Sequence, residues 1–204
     1  MQLELDHLAI SAATLAEGLA MVEALLGVAL AAGGSHPAMG THNRLLGLGP
    51  GLYLEVIAVD PGAGTPASPR WFDLDRFTGP PRLTHWICRT HDLDSALAVA
   101  PPGIGAPMAL ARGDYRWRMA VPPTGFLPFD DAHPALIEWQ GDLHPANALP
   151  DSGCRLRRLV VVHPEAAALR RQLGGLTDPR VAFETGQRAL MAELQTPGGP
   201  RVLP

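Results

Sequence analysis

With 204 residues, 47% of them hydrophobic, the chain can bury a real core, as one domain or as two small ones built on each other. A formal net charge of −4 provides no basic face, so neither nucleic acid nor an anionic membrane is expected as a partner. All 16 basic residues are Arg, which excludes Schiff-base catalysis and Lys-phosphate grips. The two cysteines, Cys88 and Cys154, lack CxxC spacing and read as buried thiols of a reducing cytoplasm. The N-terminus runs straight into LELDHLAI with no signal-peptide pattern, and the longest apolar segment is too short and interrupted to span a bilayer, so a cytoplasmic location is expected.

In chain order, LDHLAI predicts a strand, and Thr14 to Glu17 forms a capping box ahead of Leu15, Leu19, Val22, Leu25 and Leu26 at helical spacing. Gly27 closes that helix. AAGGSHPAMGTHNRLLGLGPG carries the punctuation of loops and hairpins around a short strand near 43–48, and LYLEVIAVDP ends the unit as a strand. Residues 61–82, rich in Pro and Gly, read as a linker with one helical turn at WFDLDRF.

The pattern then restarts. LTHWICRT predicts a strand, DLDSALAVA a short helix begun by Asp92, and YRWRMAV and ALIEWQ two further strands. Residues 83–141 thus repeat the order of residues 1–60. After a break at PANALPDSG, residues 155–204 form a half-module: LRRLVVVHP as strand, EAAALRRQLGG as helix, and VAFETGQ with ALMAELQ as a closing hairpin.

Superposing the repeats on their first strands lays His7 on His85, and on their last strands Glu55 on Glu138. Period-two alternation leaves Leu8 and Ile10, and Leu54, Val56 and Ala58, for the helix-covered face. His7 and Glu55 project from the other face, and Glu138, with Gln140, is assigned to the equivalent face of the second unit. An ionised Glu buried without a partner costs several kcal/mol. Two imidazoles and two carboxylates around a divalent cation would compensate it; within each unit a plain His–Glu hydrogen bond would do so too.

Paired βαβββ units with His on the first strand and Glu on the last resemble the vicinal-oxygen-chelate superfamily of glyoxalase I, extradiol dioxygenases and bleomycin-resistance proteins. GGSHPAMGTHN before LYLEVIAVDP, then LTHWICRTHDLD, YRWRMA and the terminal LQTPGGPRVLP are similar to the bacterial group with glyoxalase-like domains. The resemblance spans nearly the whole chain and implies an α+β fold. In it the paired modules form a curled mixed sheet around a cleft, with the C-terminal βαββ half-module added. It also implies metal ligation by His7, Glu55, His85 and Glu138. The segment FLPFDDAHPALIEW is long ahead of Glu138, which bears on that strand's position; without Glu138, two His and one carboxylate would remain.

Such a site suits Zn, Ni, Co, Mn or Fe(II), binding two substrate oxygens and stabilising an enolate, with Glu55 or Glu138 as general base. The expected function is a metal-dependent isomerase or lyase acting on a small oxygen-rich metabolite. One alternative is Fe(II) ring-cleaving dioxygenation at His7, His85 and Glu138; the other is metal-free binding or sequestration of a small molecule, with Trp86, Trp117 and Trp139 shaping a pocket or core. His36, Asn43 and Arg118 are substrate-binding candidates, Arg118 for a carboxylate. Asp130, Asp131 and His133 read as a solvated turn. Modules of this kind complete a cleft within one chain or across a homodimer.

Overall fold

The computed structural model describes residues 2–203. Strand β1 (Glu4–Ser11), helix α1 (Leu15–Leu26) and strands β2 (Ala31–His36), β3 (Thr41–Gly47) and β4 (Tyr53–Val59) form the first unit. The second repeats it as β5 (Arg82–Arg89), α2 (Leu93–Ala98), β6 (Ala106–Arg112), β7 (Tyr115–Val121) and β8 (Ala135–Trp139). The strands make one mixed sheet in the order β2-β3-β4-β1-β5-β8-β7-β6, joined at its centre by antiparallel β1 and β5. The outermost strands, β2 and β6, nevertheless touch, so the sheet curls round a concave face.

The helix predicted by the capping box forms because its ends are paired locally. Thr14 accepts a hydrogen bond from the Glu17 amide, and Gly27 takes the left-handed conformation (φ 71°) that ends it. Its buried Leu15, Val22 and Leu26 cover the convex face of the first unit. At Gly18 a Cβ would overlap the Val56 side chain, so only glycine lets α1 sit this close to β4. The convex face of β5 is covered by a second sheet, where fully buried Trp86 meets Phe183 edge-on with ring centroids 6.2 Å apart.

That second sheet follows the short helix α3 (Pro145–Ala148) and comprises β9 (Arg155–Val162), β10 (Val181–Glu184), β11 (Ala189–Thr196) and β12 (Gly199–Leu203), with α4 (Ala166–Gln172) after β9. Its order is β10-β9-β11-β12. The expected hairpin of VAFETGQ with ALMAELQ is therefore not formed. The largely buried β9 takes a central place, β10 lies parallel to it across the α4 crossover, and the hairpin is β11 with β12. The C-terminal unit carries one strand more than the βαββ expectation.

Candidate functional site

Strand pairing decides which side chains share the concave face. Tyr53 lies beside His7 and Glu55 beside Ala9 in the parallel β1/β4 pair, while Leu45 opposes Glu55 and Asn43 opposes Ile57 in β3/β4. His36 opposes Thr41, two residues before Asn43. His7, Glu55, Asn43 and His36 therefore project to one side and are all buried.

They form a continuous polar line across the cleft. His7 Nε2 stands 3.6 Å from Glu55 Oε2, and Asn43 Nδ2 donates to Glu55 Oε1. Arg112 Nη1 donates to Asn43 Oδ1 (3.1 Å) and to His36 Nε2 (3.2 Å), joining β6 to β2 across the mouth of the curl. The Gly34 amide also donates to Asn43 Oδ1 (2.9 Å). A Cβ on Gly33 would overlap Asn43 and one on Gly34 would meet Arg112 Cδ at 2.7 Å, so the Gly33-Gly34 pair opens the room this line occupies.

Behind His7 lies Asp6, wholly buried. Its Oδ1 is 2.6 Å from His7 Nδ1, and its Oδ2 accepts from Trp139 Nε1 (3.0 Å) and His144 Nε2 (2.9 Å). Burial alone would raise its carboxyl; hydrogen bonds and charge from His144 and His7 outweigh that and hold it well below the usual carboxylate range. An ionised Asp6 fixes the proton on His7 Nδ1 and turns Nε2 towards Glu55. Burial pushes His36 down to about 4, against the pull of Glu55 and with the help of Arg112, so at neutral pH its Nε2 is a free acceptor for Arg112 and its Nδ1–H faces Thr41 Oγ1.

The other half of the cleft is apolar, lined by Trp117, Met119, Ile137 and Trp139, and Trp71 and Phe72 of the linker plug it. Phe72 and Asp73 adopt left-handed φ (58° and 50°) in the predicted turn, which seats both aromatic rings inside. About 30 Å³ stays open, room for one or two waters.

Three expected site residues lie elsewhere. Glu138 is paired with Arg118 on the convex side, 3.4 Å from its guanidinium, while Ile137 and Trp139 take the concave positions. Arg118 bonds Asp94 of α2 and cannot line the cleft. His85 shares the concave face, opposite Ala9, but packs on the Phe72 ring (centroids 4.8 Å) with Nε2 3.5 Å from Asp131 Oδ1, apart from the polar line. The pairing supplies the reason: Glu55 lies beside Ala9, two residues past His7, and the residue beside Ile87, two past His85, is Ala135. Ala135, not Glu138, is the counterpart of Glu55, because the long segment ahead of β8 shifts that strand by three residues. Asp131 and His133 are buried, not solvated; left-handed Phe129, Asp130 and Asp131 (φ 56°, 50° and 63°) turn Asp131 inward.

The four-donor metal set is therefore not assembled: His7 and Glu55 face each other, His85 lies apart from them, and Glu138 points away. Among the described residues no three His, Cys, Asp or Glu side chains are grouped to hold a metal ion. The chain's own donors do not fit such a centre.

The sequence expectation missed Arg112, because β6 was not recognised as a strand. Its signal is the two-residue Gly113-Asp114 turn between paired Arg112 and Tyr115. It also missed Asp6, which is wholly buried, and Trp71, which the sequence placed in the linker.

No curated protein matches the chain. A hypothetical protein from Staphylococcus aureus is 13% identical and has a TM-score of 0.61, over 91% of this chain and 87% of that one. Methylmalonyl-CoA epimerase from Mycobacterium tuberculosis is 20% identical with a TM-score of 0.44, over 68% of this chain and 88% of that one. Residues 5–177 match the glyoxalase-like domain model, and with the curled sheet of paired βαβββ units already described, the chain belongs to the glyoxalase-like domain family.

Proposed function

We propose that the chain is an isomerase or lyase that moves a proton at a carbon beside a carbonyl group of a small oxygen-rich metabolite. The observation that carries this reading is the buried line Arg112–Asn43–Glu55–His7–Asp6, which sets a carboxylate against an oriented imidazole with a cation near by. Glu55 Oε2 takes the proton from carbon, and the C–H electron pair moves into the carbonyl to give an enolate. His7 Nε2 shares that proton and returns it, either to carbon (isomerase) or to a departing group (lyase). Asn43 is a positioning residue that holds Glu55 Oε1, and Asp6 holds His7. No step passes through a metal, since His85 and Glu138 do not join His7 and Glu55.

Hydrogen–deuterium exchange at the carbon beside the carbonyl of pyruvate, 2-oxobutyrate and hydroxyacetone, followed by NMR in D2O, tests this. Acceleration by the wild type that falls roughly 100-fold or more in Glu55→Gln and His7→Gln is expected. Exchange no faster than in buffer for the whole panel would overturn it.

A further inference from the structure

Two donors in the cleft lack the partners their chemistry calls for. Trp71 is buried and lines the cleft, yet its indole Nε1–H has no hydrogen-bond acceptor. Such a donor is uncommon in a folded core and points to an acceptor that arrives from outside. Arg112 is half-buried and uses only Nη1, on the neutral acceptors His36 Nε2 and Asn43 Oδ1. Among the described residues no carboxylate lies within 4.0 Å of its guanidinium, whereas Arg89, Arg155 and Arg180 each have one.

We propose that Arg112 and the Trp71 indole N–H form a carboxylate subsite, so that the ligand of this cleft is a small carboxylic acid anion. The unused edge of a guanidinium, Nε with Nη2, accepts the two oxygens of a carboxylate side by side, and the indole N–H takes a further lone pair of one of them. A neutral amide would leave the Arg112 charge uncompensated. A phosphate dianion is disfavoured, because one cation serves the site while Glu55 and Asp6 line or underlie it. Asn43 stands between Arg112 and Glu55, which separates the bound anion from the Glu55 carboxylate and leaves the adjoining carbon on the Glu55 side. Trp71 is fixed for this by its edge-to-face contact with His36, with centroids 5.2 Å apart. The position of Glu55 relative to the ligand rests on the proton-transfer reading; the carboxylate subsite itself does not.

Titration calorimetry with propionate, and with its neutral isostere propionamide, tests the subsite on the full chain. Propionate should bind at least tenfold more tightly than propionamide. Trp71→Phe, which removes the N–H and keeps the ring, should weaken propionate roughly tenfold. Arg112→Gln should remove the preference for the anion, and Arg112→Lys, which keeps the charge and the link across the sheet edges, should fall between. Arg116→Gln, at an exposed arginine, should change nothing. Equal affinity for propionate and propionamide, no propionate binding, or unchanged binding in both Trp71→Phe and Arg112→Gln would overturn the proposal. Propionate binding without carbon–deuterium exchange would defeat the proton-transfer reading alone; exchange without anion preference would defeat the subsite alone.

Discussion

Acidification through the histidine range should destabilise the protein before most of its carboxylates titrate. His36 and His133 are 5% and 2% exposed, and each is pushed down from 6.5 to about 4. Burial is the main cause in both. For His36, Glu55 opposes it and Arg112 adds to it; for His133, the hydrogen bond to the Pro134 carbonyl opposes it. Between pH 6.5 and about 4 the unfolded chain holds protons on these rings that the native one does not, so stability falls as pH falls. At about 1.4 kcal/mol per pH unit, each ring removes about 2 kcal/mol by pH 5. The pair together takes about 4 kcal/mol, a large share of an ordinary domain's roughly 5–15 kcal/mol. His85 is lowered by burial as well and acts in the same direction. Urea midpoints measured from pH 7.5 to 5 should drop steeply in the wild type, and less steeply between the same limits in His133→Gln, which removes one of the contributing rings. A midpoint that stays level, or one that falls as steeply in a His36→Gln/His133→Gln double variant, would refute the argument.

Removing the carboxylate of Asp6 as Asp6→Leu should cost on the order of 3 kcal/mol, because His7, Trp139 and His144 lose their common acceptor, and thermal denaturation would measure it. Gly33→Ala should displace Asn43, abolish carbon–deuterium exchange and lower the thermal midpoint, since its added Cβ meets the Asn43 backbone carbonyl of β3 as well as the Asn43 side chain. Glu138→Gln should leave exchange within about twofold of wild type, its side chain being paired with Arg118 on the convex face; a loss as deep as that of Glu55→Gln would place it back in the cleft. Protein loaded with Zn, Ni, Co, Mn or anaerobic Fe(II) and then gel-filtered should retain well under one equivalent by elemental analysis. Near-stoichiometric metal lost in both His7→Ala and Glu55→Ala would restore the four-ligand centre.

Period-two and helical patterns, with local caps, made most elements legible before any tertiary contact was considered. LDHLAI and YLEVIA carried their own two-faced alternation, so His7 and Glu55 could be placed opposite the helix from sequence alone. The same logic located α1 and α2, whose N-caps Thr14 and Asp92 bond their own first turns. Strand β6 escaped because an exposed edge strand needs no apolar face, and Arg112 escaped with it.

Glu138 shows a different limit. ALIEW has apolar residues on both parities, Ala135, Ile137 and Trp139 on one and Leu136 beside Glu138 on the other, and only its pairing with β5, through Ile87 beside Ala135, decides which parity faces inward. The partners of Asp6, contributed by residues 7, 139 and 144, and the closure of Arg112 onto His36 link positions far apart in the chain. Local sequence thus determined the elements and the faces of β1 and β4. Strand register and sheet curl, set by long-range pairing and packing, decided which polar groups meet in the cleft.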